Sequence, residues 1–394
     1  MPGMTAPLSS YASEIYLQGM AGNRPALGTD PSQLEAAAMA EMAPEPYWYV
    51  AGAAGAGATA RANREAFDRV RIVPRMLTGA THRDLSTTVL GTAMPAPVIT
   101  APVGVQSIVH PDAELAVARA AAELGLPMVL STVSSFPMEQ VAEASGSGPR
   151  WFQLYWPNDE EVCVSFLERA KASGFSALVV TLDTWLLGWR PHDLDAAYLP
   201  FLSGAGLATY FSDPAFCGSL ENAPADDLPA ALMRWLPMFT GSDHTWDNIA
   251  FLREHWDGPI ALKGIQHVDD ARRAVDAGVD GIVVSNHGGR QVDGAIASLD
   301  ALPAIADAVG DRVEVLFDSG IRTGADIVKA LALGARAVLV GRPWVYGLAL
   351  GGQDGVKHVL RSLLADLDLT MALSGHRRPA DLSPDMLRRA TGDR

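Results

Sequence analysis

Residues 313–343, VEVLFDSGIRTGADIVKALALGARAVLVGRP, contain the pattern that decides the fold. Two short apolar runs, Val313–Gly320 and Ala337–Gly341, flank a helical pattern over Gly324–Leu333. Each run is bounded by Gly, Pro or polar residues, which is typical of a strand that is buried on both faces of a parallel sheet. This unit therefore predicts an α/β fold.

The same alternation extends along most of the chain. Six further strands are predicted, at Pro97–Gly104, Met128–Val133, Trp151–Trp156, Ala177–Asp183, Ile260–Gly264 and Gly281–His287. Helical patterns separate them, including Ala113–Leu124, Glu160–Ser173, Asp269–Ala277 and Leu302–Val309. Eight strands with intervening helices is the count of a (β/α)8 TIM barrel, which we prefer to a doubly wound sheet.

The chain is predicted to form one domain over residues 1–394, although its length would allow two or three domains. Residues 1–95 are expected to form helices and a hairpin that closes the bottom of the barrel. Residues 96–375 are expected to form the barrel, and residues 376–394 a C-terminal tail. An insertion of few helix or strand signals, at about residues 189–245, follows the fourth strand. Because loops at that end of a barrel lie over the active site, we expect a partly mobile lid.

Composition limits the class of partner. The 30 Lys and Arg against 45 Asp and Glu give a net charge of −15, which argues against a nucleic-acid-binding protein. The two cysteines, Cys163 and Cys217, form no Cys-x-x-Cys pair, so neither a disulfide framework nor a metal site is expected. Met1–Met20 lacks the pattern of a signal peptide, and no membrane-spanning run is evident. We expect a cytoplasmic protein without a membrane partner.

Ionisable residues cluster where the predicted strands end, which is where barrels carry their chemistry. His287 follows a strand and precedes two glycines, so a ligand could reach it, and a histidine can take a hydroxyl proton. Asp183 could orient the imidazole and favour its cationic form, while Arg290 and Arg190 suit a carboxylate. Lys263 lies on a buried strand. From the residues alone it could form a structural ion pair or stabilise an anionic cofactor ring, just as Arg190 could form a salt bridge in the lid.

A second cluster, after strands seven and eight, suits an anion. Gly320 and Arg322 precede Gly324, which begins a helix, and Arg342 follows the last strand. A helix N-terminus and arginines together form a typical phosphate site. The alternative is a helix cap with surface arginines.

Three motifs resemble those of the FMN-dependent 2-hydroxy acid oxidase and dehydrogenase family. They are Ser285-Asn286-His287-Gly288-Gly289-Arg290-Gln291, Asp318-Ser319-Gly320-Ile321-Arg322-Thr323-Gly324 and Gly341-Arg342-Pro343. The resemblance extends from about Glu14 to Gly375. Within the family, the segments 181–185, 188–191, 200–202 and 210–214 are similar to the lid of the lactate 2-monooxygenases.

The resemblance implies FMN as cofactor and a role for each site residue. His287 would take the substrate hydroxyl proton, paired with Asp183, and Tyr155 would hydrogen-bond near that hydroxyl. Lys263 would lie at the edge of the flavin ring. The substrate carboxylate would be held by Tyr49, Arg190 and Arg290. The remaining cofactor contacts would be Pro102, Val103, Gly104, Ser131, Gln153, Thr181, Ser285, Asp318, Ser319, Gly320, Arg322, Gly341 and Arg342.

The implied reaction is oxidation of L-lactate, or a similar small 2-hydroxy acid, by O2 with decarboxylation to acetate, CO2 and water. The alternatives are an oxidase that releases the 2-oxo acid and H2O2, and a dehydrogenase with another electron acceptor. Gly104 supports the first activity, since oxidases of the family often have Ala there. Val133, where some relatives have an aromatic residue, would change the size of the pocket. A homo-oligomer, either a tetramer or an octamer, is also implied.

Overall fold

The computed structural model describes residues 7–240 and 243–390. The parts of the N-terminal segment, the insertion and the tail at residues 1–6, 241–242 and 391–394 lie outside the described residues. The described strands are β1 (Val70–Ile72), β2 (Thr87–Val89), β3 (Thr92–Met94), β4 (Val98–Thr100), β5 (Met128–Ser131), β6 (Arg150–Leu154), β7 (Leu178–Thr181), β8 (Ile260–Ile265), β9 (Gly281–Val284), β10 (Glu314–Phe317), β11 (Ala337–Val340) and β12 (Leu387–Arg389).

Helices occupy most of the intervening chain. They are α1 (Ser10–Met20), α2 (Pro31–Glu41), α3 (Pro44–Ala51), α4 (Ala58–Asp68), α5 (Ala113–Glu123), α6 (Met138–Ser145), α7 (Glu160–Ala172), α8 (Pro191–Asp195), α9 (Ala208–Phe211), α10 (Pro214–Gly218), α11 (Leu228–Phe239), α12 (Ile249–His255), α13 (Val268–Asp276), α14 (Ser298–Val309), α15 (Gly324–Ala332) and α16 (Arg342–Ser374). Among the helices of residues 7–240 and 243–390, none has the length and apolar character needed to cross a bilayer.

Strands β4 to β11 pair in parallel, in sequence order, and β11 pairs with β4 to close the barrel. Almost every residue of these strands is buried, because side chains fill the interior and helices cover the outside. The predicted barrel is confirmed. Most strands end before the polar residues that the sequence pattern had included in them, so those residues lie in the loops at the carboxyl ends.

The hairpin of β2 and β3 packs against the side chains that fill the barrel interior. Its residues Val89, Leu90 and Met94 are buried with the side chains that fill the interior, such as Trp151. The indole Nε1 of Trp151 donates to Thr92 Oγ1 at 2.9 Å, which fixes the hairpin to the barrel. A hydrophobic face and a buried hydrogen bond thus hold this hairpin against the barrel.

The insertion after β7 is more regular than the sequence suggested, because it contains helices α8 to α11. Pro191, Pro214 and Pro229 each lie in the first turn of one of these helices, where proline is favoured. Its aromatic side chains form a small core with Phe201, Tyr210, Phe216, Trp235 and Phe239 all buried. That the lid is partly mobile stays a prediction.

Candidate active site

A strained turn presents His287 at the carboxyl end of β9. His287, Gly288 and Gly289 all have positive φ angles, of 56°, 65° and 75°. A Cβ at Gly289 would lie 2.6 Å from the backbone nitrogen of Ala60, so only glycine fits there. A non-glycine residue with positive φ is costly and often marks a functional position.

His287 is paired with Asp183, which follows β7. Its Nδ1 lies 2.7 Å from Asp183 Oδ1 and 3.0 Å from Thr184 Oγ1. The Thr184 hydroxyl donates to the same carboxylate oxygen at 2.9 Å. With Nδ1–H donating to Asp183, Nε2 is left as the basic nitrogen of the ring. The geometry thus prepares a neutral imidazole that can accept a proton.

The electrostatics of the pair agree with this protonation state. Burial lowers the pKa of His287 from its usual value, and the attraction of Asp183 offsets this only in part. Burial alone would raise the pKa of Asp183, but the charges of His287 and Lys263 and two hydrogen bonds lower it to about 2. Asp183 does favour the cationic form of His287, as expected, but desolvation is the larger effect, so the pKa of His287 is lowered overall.

Arg190, Arg290 and Arg342 are three of the four arginines that line one cavity at the carboxyl ends of the strands. Arg190 Nε donates to the Arg290 carbonyl at 3.1 Å, and Arg290 lies over the Tyr49 ring at 5.4 Å. Arg342 donates to the carbonyls of Val50 and Gly52, both at 2.9 Å. Burial, together with the charges of Arg190 and Arg342, lowers the pKa of Arg290 to about 9. Among the described residues, no carboxylate forms an ion pair with these arginines, so the cluster is suited to an anionic ligand.

Lys263, on β8, forms an ion pair and also lines the cavity. Its Nζ lies 3.1 Å from Asp318 Oδ2 and 2.9 Å from Ser285 Oγ. Burial would lower the pKa of Lys263, but Asp318 and Asp183 raise it, so the ammonium stays charged. The structural ion pair is therefore observed, and it places a cation at the cavity wall, while stabilisation of an anionic cofactor ring by Lys263 stays a prediction.

Tyr155 follows β6 and is enclosed by aromatic residues. Its ring meets that of Phe239 edge to face, with the centroids 5.4 Å apart. Burial raises its pKa to about 12, with Asp183 adding to the effect, so the phenol stays protonated and can donate a hydrogen bond.

One cavity brings most of the predicted residues together. It is lined by Tyr49, Pro102, Val103, Gly104, Tyr155, Arg190, Lys263, His287, Arg290, Asp318, Ser319, Gly320, Arg322, Gly341 and Arg342, among others. Five predicted residues do not line it. Asp183 and Ser285 lie behind His287 and Lys263, to which they are hydrogen-bonded. Ser131 Oγ donates to the buried Gln153 Oε1 at 3.0 Å. Thr181 lines a second cavity.

The observed anion site differs from the sequence prediction at the N-terminus of α15. The amides of Arg322 and Thr323, which precede α15, donate to Asp326 Oδ2 at 2.9 and 3.1 Å. The Gly324 amide donates to Asp366 at 2.5 Å. The chain's own carboxylates therefore already satisfy the N-terminus of α15. The arginines Arg322 and Arg342, together with the glycines beside them, remain as the anion-binding part.

The cavity fits FMN. At one end, a Cβ at Gly104 would lie 2.5 Å from Val133 O, so the two loops are close together there and a larger residue would have to displace its neighbour. Nearby, the buried Gln153 Nε2 has no hydrogen-bond partner among the described residues and could donate to a ligand. The other end carries Arg322 and Arg342. A ring with polar edges and a phosphate match these two ends.

Sequence reasoning missed three supporting residues. Gln291 Oε1 accepts from Arg190 at 2.7 Å, while its Nε2 donates to the Asp183 carbonyl at 2.7 Å, so it joins both loops. Asn63 of α4 exchanges two amide hydrogen bonds with Asn286, of 2.8 and 2.7 Å. Thr184 is the third. Gln291 and Thr184 lie within segments quoted above for the family resemblance, whereas no pattern in the sequence indicated Asn63.

Known proteins share this architecture. The FMN-dependent dehydrogenase family model matches residues 38–389. An FMN-dependent alpha-hydroxy acid dehydrogenase of Penicillium citrinum is 52% identical over 384 residues, covering 96% of each chain. The L-lactate oxidase of Lysinibacillus sphaericus is 43% identical over 87% of this chain and 88% of its own. A crystal structure of mandelate oxidase with (S)-4-hydroxymandelic acid has a TM-score of 0.82 and 38% identity, covering 93% of this chain and 99% of that one.

The family match covers most of the chain, and the cavity has groups that suit both ends of FMN. The resemblance seen in the motifs is therefore confirmed at the level of the family and its cofactor. This chain belongs to the FMN-dependent dehydrogenase family and is an FMN-dependent oxidoreductase.

Proposed function

We propose that this protein oxidises L-lactate, or a similar small 2-hydroxy acid, with O2 and decarboxylates the product to acetate, CO2 and water. One observation carries the oxidation step. A neutral His287, held by Asp183, lines the same cavity as the buried Arg190 and the half-buried Arg290. This arrangement supplies a base for the hydroxyl and a cationic clamp for the carboxylate.

In this proposal, the charge of each side chain determines its role. Arg190, Arg290 and Tyr49 hold the substrate carboxylate and so orient its Cα. His287 Nε2 accepts the hydroxyl proton, and the anionic Asp183 stabilises the imidazolium that results. Tyr155 donates a hydrogen bond near the substrate oxygen. Bound FMN supplies the two-electron acceptor.

The remaining proposed contacts concern the cofactor. Lys263 stays cationic beside Asp318 and would stabilise negative charge on the ring edge. Arg322 and Arg342 would hold the phosphate. Ser131, Gln153, Thr181 and the glycine-rich loops would contact the cofactor's polar atoms or supply the close approach that it needs.

The fate of the 2-oxo product decides between the monooxygenase and oxidase activities. A packed insertion above the site favours retention of the product, because helices with an aromatic core open less readily than an irregular loop. Gly104 also favours the monooxygenase activity, since oxidases of the family often have Ala at this position. The 2-hydroxy acid chemistry is also supported by the names of the relatives, which include L-lactate and mandelate oxidases.

The test is aerobic turnover of L-lactate by FMN-loaded enzyme, with acetate and pyruvate quantified together by proton NMR. Acetate without accumulated peroxide is expected. Pyruvate with peroxide would instead support the oxidase, and turnover only with an added quinone would support the dehydrogenase. His287→Gln is the control variant, which should bind FMN but no longer be reduced by lactate.

We also propose a homotetramer or homo-octamer. Helices α1 and α16 expose large apolar side chains, including Tyr16, Met20 and Leu373, at 77%, 84% and 71% exposure. Burying such residues against a second copy is favourable. Light scattering of the FMN-loaded protein would contradict this proposal if it gave the mass of a monomer.

A further inference from the structure

The active-site cavity has a neighbour on the far side of Tyr155. This second cavity, the aromatic chamber, is lined by Trp156, Trp185 and Trp246 together with Asp243 and Asp270, among others. Two residues, Tyr155 and Phe239, line both cavities.

We infer that Phe239 is a specificity-determining residue: its ring separates the active site from the aromatic chamber and so restricts the enzyme to small 2-hydroxy acids. The inference rests on the proposed function. It concerns the substrate side chain rather than the reacting atoms.

Phe239 is held firmly in this position. It is the last residue of α11, and its side chain is 8% exposed. Its ring stacks on Trp235 at 5.1 Å and meets Phe201 at 5.8 Å and Tyr155 at 5.4 Å. Because three aromatic neighbours fix the ring, a larger substrate could displace it only by disrupting their packing.

The chamber's chemistry indicates what would enter if the ring were removed. Its tryptophan walls would pack well against an aryl ring. Asp243 and Asp270 would repel a carboxylate, while Arg190 and Arg290 attract one on the other side. An aryl 2-hydroxy acid would therefore place its carboxylate in the active site and its ring in the chamber.

Phe201, which packs against Phe239 at 5.8 Å, also lines the active-site cavity and is only 2% exposed, so this wall is closely packed. Cutting Phe239 back to alanine would join the two cavities, and the new space would lie beside Tyr155.

The experiment compares kcat/KM for L-lactate and L-3-phenyllactate in the wild type, Phe239→Ala and Phe239→Leu. We expect the wild type to prefer lactate. The ratio of phenyllactate to lactate should rise by about tenfold or more in Phe239→Ala and less in Phe239→Leu, because pocket shape discriminates on this scale. Phe211→Ala is the matched control, since Phe211 belongs to the same insertion but lines neither cavity, and its ratio should match the wild type.

A ratio within threefold of the wild type in both Phe239 variants would overturn the inference. A wild type that uses phenyllactate as well as lactate would also overturn it. Calorimetric binding of phenylpyruvate and pyruvate to the FMN-loaded proteins gives a second measure without turnover. If the wild type oxidises neither acid, the proposed function fails, and the change in relative binding of the two oxo acids still decides the role of Phe239.

Discussion

The pairing of His287 with Asp183 gives the sharpest prediction, and Asp183→Asn tests it. The carboxylate accepts from Nδ1 at 2.7 Å, and the two side chains are 18% and 12% exposed. Asparagine has nearly the same shape but no charge, and it can present its NH2 group to Nδ1. The imidazole would then lose both the charge that stabilises its protonated form and the preference for the tautomer with a basic Nε2.

The structure sets the size of the effect. Base catalysis contributes typically 10²–10⁴ in rate, so loss of the oriented base should slow substrate oxidation by about that factor, or about 2.7–5.4 kcal/mol in barrier. The folded protein lowers the pKa of Asp183 from 3.8 to about 2. A carboxylate whose pKa is lowered on folding stabilises the fold above about pH 4, and this contribution is lost as the pH falls through about 2. Asp183→Asn should remove it at neutral pH.

The assay is anaerobic stopped-flow reduction of the bound flavin at saturating L-lactate. Because burial lowers the pKa of His287, the wild-type rate should stay flat through the pH range in which an ordinary histidine titrates and fall only at lower pH. Asp193→Asn is the matched control, because Asp193 lies near Arg290 and Arg190 but forms no hydrogen bond with His287. A reduction rate for Asp183→Asn within threefold of the wild type across this range would refute the reasoning.

Three further perturbations follow. Arg290→Met should raise KM for lactate by about 10²-fold, because a charged hydrogen bond contributes about 1.5–3 kcal/mol, and an unchanged KM in steady-state kinetics would contradict the clamp. Gly104→Ala should shift the products from acetate towards pyruvate and peroxide, which NMR of the products would check. A Cβ at this position would lie 2.5 Å from Val133 O, so the variant should also melt at a lower temperature in calorimetry. Asn63→Ala should destabilise the fold by about 2–3 kcal/mol, since it removes both hydrogen bonds to Asn286 and leaves the buried Ser298 backbone amide without its acceptor, Asn63 Oδ1; a denaturation midpoint like that of the wild type would exclude this.

Much of the molecule could be predicted because the information is local. Strands buried on both faces are short apolar runs, and their period differs from that of the helices between them. The eight barrel strands were therefore found with errors mainly at their ends. Those errors have one cause, since residues such as Ser285 and His287 continue the run in sequence but turn away in space, with φ at His287 reaching 56°.

The insertion was harder to predict. Its helices α8 to α10 have only four or five residues and too few turns to show periodicity. Packing of residues such as Phe201 and Trp235 stabilises them, and that packing depends on contacts that sequence spacing does not reveal.

The sequence by itself determined the barrel, the residues at its strand ends and the cofactor family, because each rests on a local period or a contiguous motif. Only the tertiary structure decided how those residues pair. His287 and Asp183 are 104 residues apart, yet their contact selects the tautomer that leaves Nε2 basic. Asp326 and Asp366 occupy the amides that a helix N-terminus would otherwise offer to phosphate. Such pairings arise because the closed barrel brings distant loops to one face, and no local pattern records which side chains meet there.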